Sequence, residues 1–440
     1  MRQFIFTLTL SCLALLQANA QDLERASKHV EKLCSDEFHG RGYYEKGDQK
    51  AAEWIAQQFA DFGLQAFDSI LDERDQKYVP YYFQDFRFPV NTFPGDIVVQ
   101  IDGHHLKAGV DYLVNAMSGG TAPKKFDIYT IQDKDLRSAK RRKKLRKKDL
   151  SSTLLLIDEE SLNIEKFQEG YEAIVKNELR ADGTISVKDR LIWSVGRAAF
   201  PFIKLEISRE KMEELQMEKA QVTIEQELIK SYESQNVIGY VEGTTFPDSF
   251  IFFTAHYDHL GRMGDSAVFP GANDNATGTA MLIDLAHYYS QPENQLPYSV
   301  AFIGFGAEEA GLIGSYFYTQ NPYFPLSNIM KVLNIDLMGD GSSGMMVVNG
   351  KIFPETFQDF VSLNEKNNYF KTIKKRGKAA NSDHYYFSEK GVEAFFFYLM
   401  GDYPYYHDIY DIPENVPYIQ YEETVQFFID YLQILGDKMR

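Results

Sequence analysis

The segment Thr254-Ala255-His256-Tyr257-Asp258-His259 closes an apolar run from Phe250 to Phe253, and four more segments bearing metal-donor candidates follow it. Asp274 lies within Gly271-Ala272-Asn273-Asp274-Asn275-Ala276-Thr277-Gly278, and Glu308-Glu309 follow the run Val300 to Phe305. Asp336 closes Lys331 to Ile335, and His407 falls in a loop after Phe395 to Leu399. Two imidazoles with three or four carboxylates suit a pair of divalent zinc ions. Thiolates are not on offer, because Cys34 is the only cysteine beyond the first twenty residues. It reads as a small apolar residue of a helix, and no internal disulfide is possible. The site must therefore use nitrogen and oxygen.

The local spacings carry chemistry of their own. His256 and Asp258 are two apart, so at a strand end they point the same way. Asp258 can then accept a hydrogen bond from the ring nitrogen that His256 does not give to metal. Glu308 and Glu309 are adjacent and reach one crevice only if the chain turns there, as Gly306 and Gly311 allow. One carboxylate can then bind metal while its neighbour takes a proton from water. Asp274 stands between two asparagines at an expected helix start, where its two oxygens can bridge two ions.

These donors need strands and helices to position them. From Asn236 onward strands and helices alternate. Strands are expected at Val237 to Val241, Phe250 to Ala255, Val300 to Phe305, Lys331 to Ile335 and Ala394 to Leu399. Helices are expected at Thr277 to Tyr289, Leu312 to Tyr318, Glu355 to Asn367 and Tyr421 to Leu435. The class is α/β, with a mixed, largely parallel sheet flanked by helices and a smaller α/β insert. In open sheets of this kind ligands bind outside the carboxyl ends of the strands, and His256, Glu308, Glu309 and Asp336 all stand just past such ends.

The rest of the chain divides around this core. Arg2, the apolar stretch Phe4 to Leu16 and Ala18-Asn19-Ala20 read as an export signal over residues 1–20, too short to span a bilayer permanently. Residues 21–99 with 232–440 form the expected catalytic domain. They begin with helices at Leu23 to Leu33 and Gln49 to Phe62, the second stopped by Gly63, and a loop at Gly40-Arg41-Gly42 lies between them. Alternation from Tyr78 to about Val99 favours strands. Residues 100–231 read as an inserted α/β module carrying the basic run Lys140 to Lys148, taken as a solvated helix or loop. The formal charge of −17 argues against a nucleic-acid partner.

Taken together, the motifs resemble the M28 family of zinc aminopeptidases and carboxypeptidases. They stand here as His256-Tyr257-Asp258, Gly271 to Gly278, Glu308 to Ser315, Asn334-Ile335-Asp336, Ser382-Asp383-His384 and Tyr406-His407. Gly40-Arg41 and Asn236-Val237-Ile238-Gly239 also look like this family. The resemblance implies one zinc on His256 and Asp336 and another on Glu309 and His407. It also implies Asp274 as the bridge, Glu308 as general base, Asp258 orienting His256, and Tyr406 and His384 as substrate or oxyanion contacts. The insert is similar to a protease-associated module. The expected protein is an exported, periplasmic or extracellular, di-zinc exopeptidase, an aminopeptidase first, acting on peptide or protein substrates. Two rivals share the scaffold: a single-zinc glutaminyl cyclase, and a catalytically silent binding protein.

Overall fold

The computed structural model describes residues 22–72 and 76–439. The segment read as an export signal lies outside the described residues. Two eight-stranded sheets carry the architecture. The larger runs, edge to edge, through Ile373–Lys375, Gly344–Val348, Ala394–Met400, Ile329–Ile335, Phe246–His256, Tyr298–Phe305, Glu227–Val241 and Phe83–Thr92. Its four central strands, from Ala394–Met400 to Tyr298–Phe305, are mutually parallel. The flanking pairings are antiparallel, except that Ile373–Lys375 joins Gly344–Val348 in parallel. The sheet is mixed and largely parallel at its centre, as expected.

Uninterrupted apolar runs make these central strands because both sheet faces are covered. Along Phe246–His256, Ile251, Phe253 and Ala255 enter one core, and Phe250 and Phe252 enter another. The first core packs against helices Leu23–Leu33, Gly47–Asp61, Thr277–Ser290, Pro354–Asn367 and Tyr421–Met439. The second packs against Ile313–Gln320 through Tyr318 and His384–Glu389 through Phe387. Strand direction then fixes the location of the chemistry. The carboxyl ends of three adjacent parallel strands, at His256, Phe305 and Ile335, lie side by side.

The second sheet orders His104–His105, Ile97–Ile101, Lys219–Ile224, Thr121–Thr130, Thr153–Ile157, Gly183–Lys188, Ile203–Ser208 and Tyr112–Val114. Ile97–Ile101 pairs with Lys219–Ile224, and Glu227 already pairs with Thr92 in the larger sheet. The chain thus passes between sheets at 93–96 and 225–226, N-terminal to the boundaries expected at 100 and 231. The basic run forms a helix, Ala139–Leu145, that buries only Leu145. No helix among the described residues is long and apolar enough to cross a membrane. Cys34 is a free, partly buried thiol, and burial pushes its pKa up to about 12, which fits a packing role.

Candidate metal centre

His256 is the last residue of its strand, Asp336 follows Ile329–Ile335, and Glu308 and Glu309 follow Tyr298–Phe305. These four, with Asp274, Tyr406 and His407, line one cleft of about 240 Å³. Nε2 of His256 lies 3.4 Å from Oδ1 of Asp274 and 3.4 Å from Oδ1 of Asp336. Nε2 of His407 lies 3.2 Å from Oδ2 of Asp274 and 3.3 Å from Oε2 of Glu309. The two oxygens of Asp274 therefore face different imidazoles.

Each imidazole is held by a backbone carbonyl on its other side. Nδ1 of His256 donates to the Asp258 carbonyl at 3.1 Å, and Nδ1 of His407 donates to the Trp193 carbonyl at 2.9 Å. Both rings must then present Nε2 to the carboxylates. This corrects the role expected of the Asp258 side chain. Its carboxylate stands 3.9 Å from the His256 ring and instead accepts the Tyr43 hydroxyl at 2.8 Å. It also accepts the backbone N–H groups of Glu308 at 3.0 Å and Glu309 at 3.3 Å. Asp258 fixes the turn that aims both glutamates. Ala307 enters that turn with φ +56°, a left-handed conformation that costs energy in any residue but glycine.

Further anchoring comes from partners to which the sequence reading assigned no role. Asp411 accepts the N–H groups of Asn273 at 2.8 Å and Asp274 at 3.1 Å, and the Tyr403 hydroxyl at 2.7 Å. A buried relay of Thr254, Asn334 and Ser382 ends with the Ser382 hydroxyl donating to Oδ2 of Asp336 at 2.9 Å. The fully buried Arg41 donates to the carbonyls of Tyr257, Pro270 and Gly271, tying the His256 and Asp274 segments together. Gly271 has φ +63°, and a Cβ there would meet Cδ2 of His259 at 2.3 Å, so glycine is required. His259, fully buried, donates from Nδ1 to Oε1 of Glu309 at 2.9 Å. The segment that placed His256 contains it, but nothing in its spacing distinguished it.

The electrostatics call for positive charge. Burial disfavours the imidazolium form, yet Glu309 and Asp274 push His407 up to about 11, and Asp336 with Glu308 hold His256 well above its ordinary value. Burial alone would raise Glu309, but His407 brings it down to about 2. Glu308 is held well above the carboxylate range by burial, with Glu309, Asp383 and Asp336 adding negative charge. Oδ1 of Asp336 is buried without a hydrogen-bond partner. Ligand atoms of His256, Asp274 and Asp336 lie within 4.8 Å of one another, as do those of His259, Asp274 and Glu309. A buried set of imidazole nitrogens and carboxylate oxygens at this spacing fits divalent cations.

The two expected substrate contacts part company. Tyr406 lines the cleft and stacks on His407, with ring centroids 3.9 Å apart. His384 is fully buried against Phe396, 5.6 Å between ring centroids, and takes no part in lining the cleft. Its helix, His384–Glu389, belongs to the apolar layer under the sheet, and burial lowers the His384 pKa to about 3. In this structure His384 packs beneath the sheet and does not line the cleft.

Comparison with known proteins bears on the same residues. The model of Peptidase family M28 matches residues 236–432. Aminopeptidase YwaD of Bacillus subtilis is 28% identical over 235 residues, 48% of this chain and 46% of that one. A probable zinc metalloprotease of Pyricularia oryzae is 34% identical over 113 residues, 25% of this chain and 22% of its own. The chain thus spans half or less of the length of these curated relatives. In fold, a zinc aminopeptidase from Bacillus subtilis superposes with TM-score 0.69 at 20% identity, covering 94% of this chain and 95% of that one. The aminopeptidase of Aneurinibacillus sp. strain AM-1 gives 0.60 at 17%, covering 95% of each. Residues 236–432 are thus similar to Peptidase family M28, and this same stretch holds His256, Asp274, Glu309, Asp336 and His407 together in one cleft.

Proposed function

We propose that the protein is an exported, zinc-dependent aminopeptidase that holds two zinc ions and cleaves peptide or protein substrates near the amino terminus. The observation that carries this reading is the division of Asp274 between two imidazoles, at 3.4 Å from His256 and 3.2 Å from His407. His256 and Asp336 would hold one ion and Glu309 and His407 the other, with Asp274 bridging and His259 positioning Glu309. When bound, zinc supplies the positive charge that acidifies a water and polarises a carbonyl.

The geometry supports the following protein side of the reaction. Glu308, partly buried in the cleft beside its ligand neighbour, would be ionised by the positive charge of the bound ions and accepts the proton of the attacking water at a carboxylate oxygen. It then returns that proton to the departing amine, acting first as base and then as acid. Asp258 keeps the Glu308 backbone fixed during both transfers. The Tyr406 hydroxyl stands in the cleft as a neutral donor to the developing oxyanion, since burial keeps its pKa above the ordinary phenol value.

The test is zinc content and hydrolysis on the same purified sample. Two zinc ions per chain and chelator-sensitive release of p-nitroaniline from leucine p-nitroanilide are expected. One zinc ion with cyclisation of an N-terminal glutamine would favour the glutaminyl cyclase reading. Full zinc loading without turnover of any aminoacyl or carboxy-terminal peptide would favour a silent binding protein.

A further inference from the structure

We propose that Arg376, with the Tyr398 hydroxyl, forms a subsite that recognises a carboxylate on the substrate; this rests on the aminopeptidase reading and sharpens it. Arg376 follows the edge strand Ile373–Lys375 and lines the same cleft as the metal ligands, together with Asn381, Phe396, Tyr398 and Tyr406. Its position is set by the backbone. The Arg376 N–H donates to the Val347 carbonyl at 2.9 Å, and the Arg376 carbonyl accepts from Lys351 at 3.1 Å. From that fixed point, Nη1 donates to the Tyr398 hydroxyl at 3.3 Å.

Two features bear on its role. Among the described residues, no carboxylate of the protein pairs with it, a condition it shares with Arg41 and Arg190, which donate to backbone carbonyls, but not with Arg25, Arg87, Arg141, Arg142 and Arg209, which each sit on an acidic partner. It is also the one permanently cationic residue among those lining the cleft. Asp274, Glu308, Glu309 and Asp336 bring four negative charges, which two dications offset. The loaded cleft then keeps the guanidinium as uncompensated charge, in a protein whose formal charge is −17. A guanidinium offers a planar fork of donors that matches a carboxylate, and a phenol beside it adds one more. That carboxylate has two possible sources. It is the side chain of an acidic N-terminal residue, or the terminal carboxylate of a short peptide.

The experiment compares zinc-loaded wild type, Arg376→Leu and Arg376→Lys on matched substrates. One arm sets glutamate p-nitroanilide against leucine p-nitroanilide; the other sets Leu-Gly against Leu-Gly amide. Wild type should prefer the carboxylate-bearing member of one arm by roughly 10- to 100-fold in kcat/KM, mainly through KM. Arg376→Leu should erase that ratio, and Arg376→Lys should keep part of it. The arm that shows the effect identifies the source. Binding is read separately, without turnover, in a Glu308→Gln background by calorimetry with Glu-Leu amide, Gln-Leu amide, Leu-Gly and Leu-Gly amide. Turnover of leucine p-nitroanilide without carboxylate preference in either arm overturns the subsite and leaves the peptidase reading standing. Equal loss on both members of an arm in Arg376→Leu also overturns it, marking a structural role. Absence of all turnover sinks the peptidase reading, and calorimetry still decides whether Arg376 binds carboxylates.

Discussion

At the scale of single residues, the centre divides into side chains that face the metal positions and side chains that aim them. Glu308 belongs with neither group. It shares a turn with Glu309, yet no imidazole within hydrogen-bond reach claims its carboxylate, while His259 and His407 both engage Glu309. On the proposed two-zinc reading, Glu308→Gln should therefore retain both zinc ions by atomic absorption and lose roughly 10²- to 10⁴-fold in kcat. Undiminished turnover would remove Glu308 from the base role. Asp258 belongs with the aiming residues, since it accepts from Tyr43, Glu308 and Glu309 at once. An amide there keeps the shape but gives up charge and an acceptor, so Asp258→Asn should cost roughly 10- to 100-fold in kcat with zinc content unchanged. Loss of zinc with kcat preserved per bound metal would instead make Asp258 a support of the ligand set.

At the scale of elements, the helix Leu23–Leu33 shows how a packed surface acquires a pH response. His29 points at helix Thr277–Ser290, with Nδ1 3.9 Å from Oδ1 of Asp284, and its ring packs edge-on against Trp54. Burial, then Arg25 and His287, lower the His29 pKa to about 4, with Asp22 opposing them. Burial raises Asp284 to about 7 in spite of Arg25, whose Nε donates to it at 2.7 Å. The two titrations have opposite signs. A histidine depressed in the folded state contributes stability that is present above its unfolded pKa near 6.5 and lost as pH falls toward 4. A carboxyl raised in the folded state contributes stability that is present below its unfolded pKa near 4 and lost as pH rises through 7. They offset one another in the wild type. His29→Phe should gain stability relative to wild type between pH 7 and 4.5, by up to roughly 3 kcal/mol, as read by urea denaturation of the metal-free protein. A constant difference across that range would refute the titration account. The same elements show what the sequence made legible. The helices at 23–33, 277–290, 354–367 and 421–439 and the strands feeding His256, Glu308 and Asp336 carry long apolar patterns, and each appears where expected within a few residues. Short elements with weak patterns were not legible: Gly344–Val348, Gly183–Lys188 and the helix His384–Glu389 owe their form to neighbours. The helix Arg209–Glu214 stops short of the next strand, because Met217 turns with φ +55° into a strand paired with Ile97–Ile101. At the site, the residues that share the cleft were legible because strand ends gather most of them. The partners that aim them, Asp411, Tyr43 and the Trp193 carbonyl, come from distant loops and carry no periodic signal.

At the scale of the whole molecule, the second sheet reaches the metal centre through the loop between Gly183–Lys188 and Ile203–Ser208. The Trp193 carbonyl takes the Nδ1–H of His407, and the Trp193 N–H donates to the His407 carbonyl at 3.3 Å. Arg190 donates to the carbonyls of Pro404 and Tyr406. Trp193 is itself held by its indole N–H on the Val114 carbonyl at 2.7 Å and by stacking on Phe269. His407 sits at φ +55°, so the loop that presents it is strained and depends on these clamps. His256, by contrast, ends a central strand and takes its carbonyl partner from the next turn. On the proposed two-zinc reading, the two metal positions should therefore differ in their dependence on the second sheet. Trp193→Ala should cost roughly 3–5 kcal/mol of stability from the cavity it leaves. In a zinc titration of the folded variant, the weaker-binding step should fall by roughly tenfold or more, with the tighter step little changed. Arg190→Ala, which leaves no buried cavity, should shift the same step in the same direction by less. Equal weakening of both steps would mean that the second sheet supports the centre only through global stability, and that the His407 loop holds its shape without it.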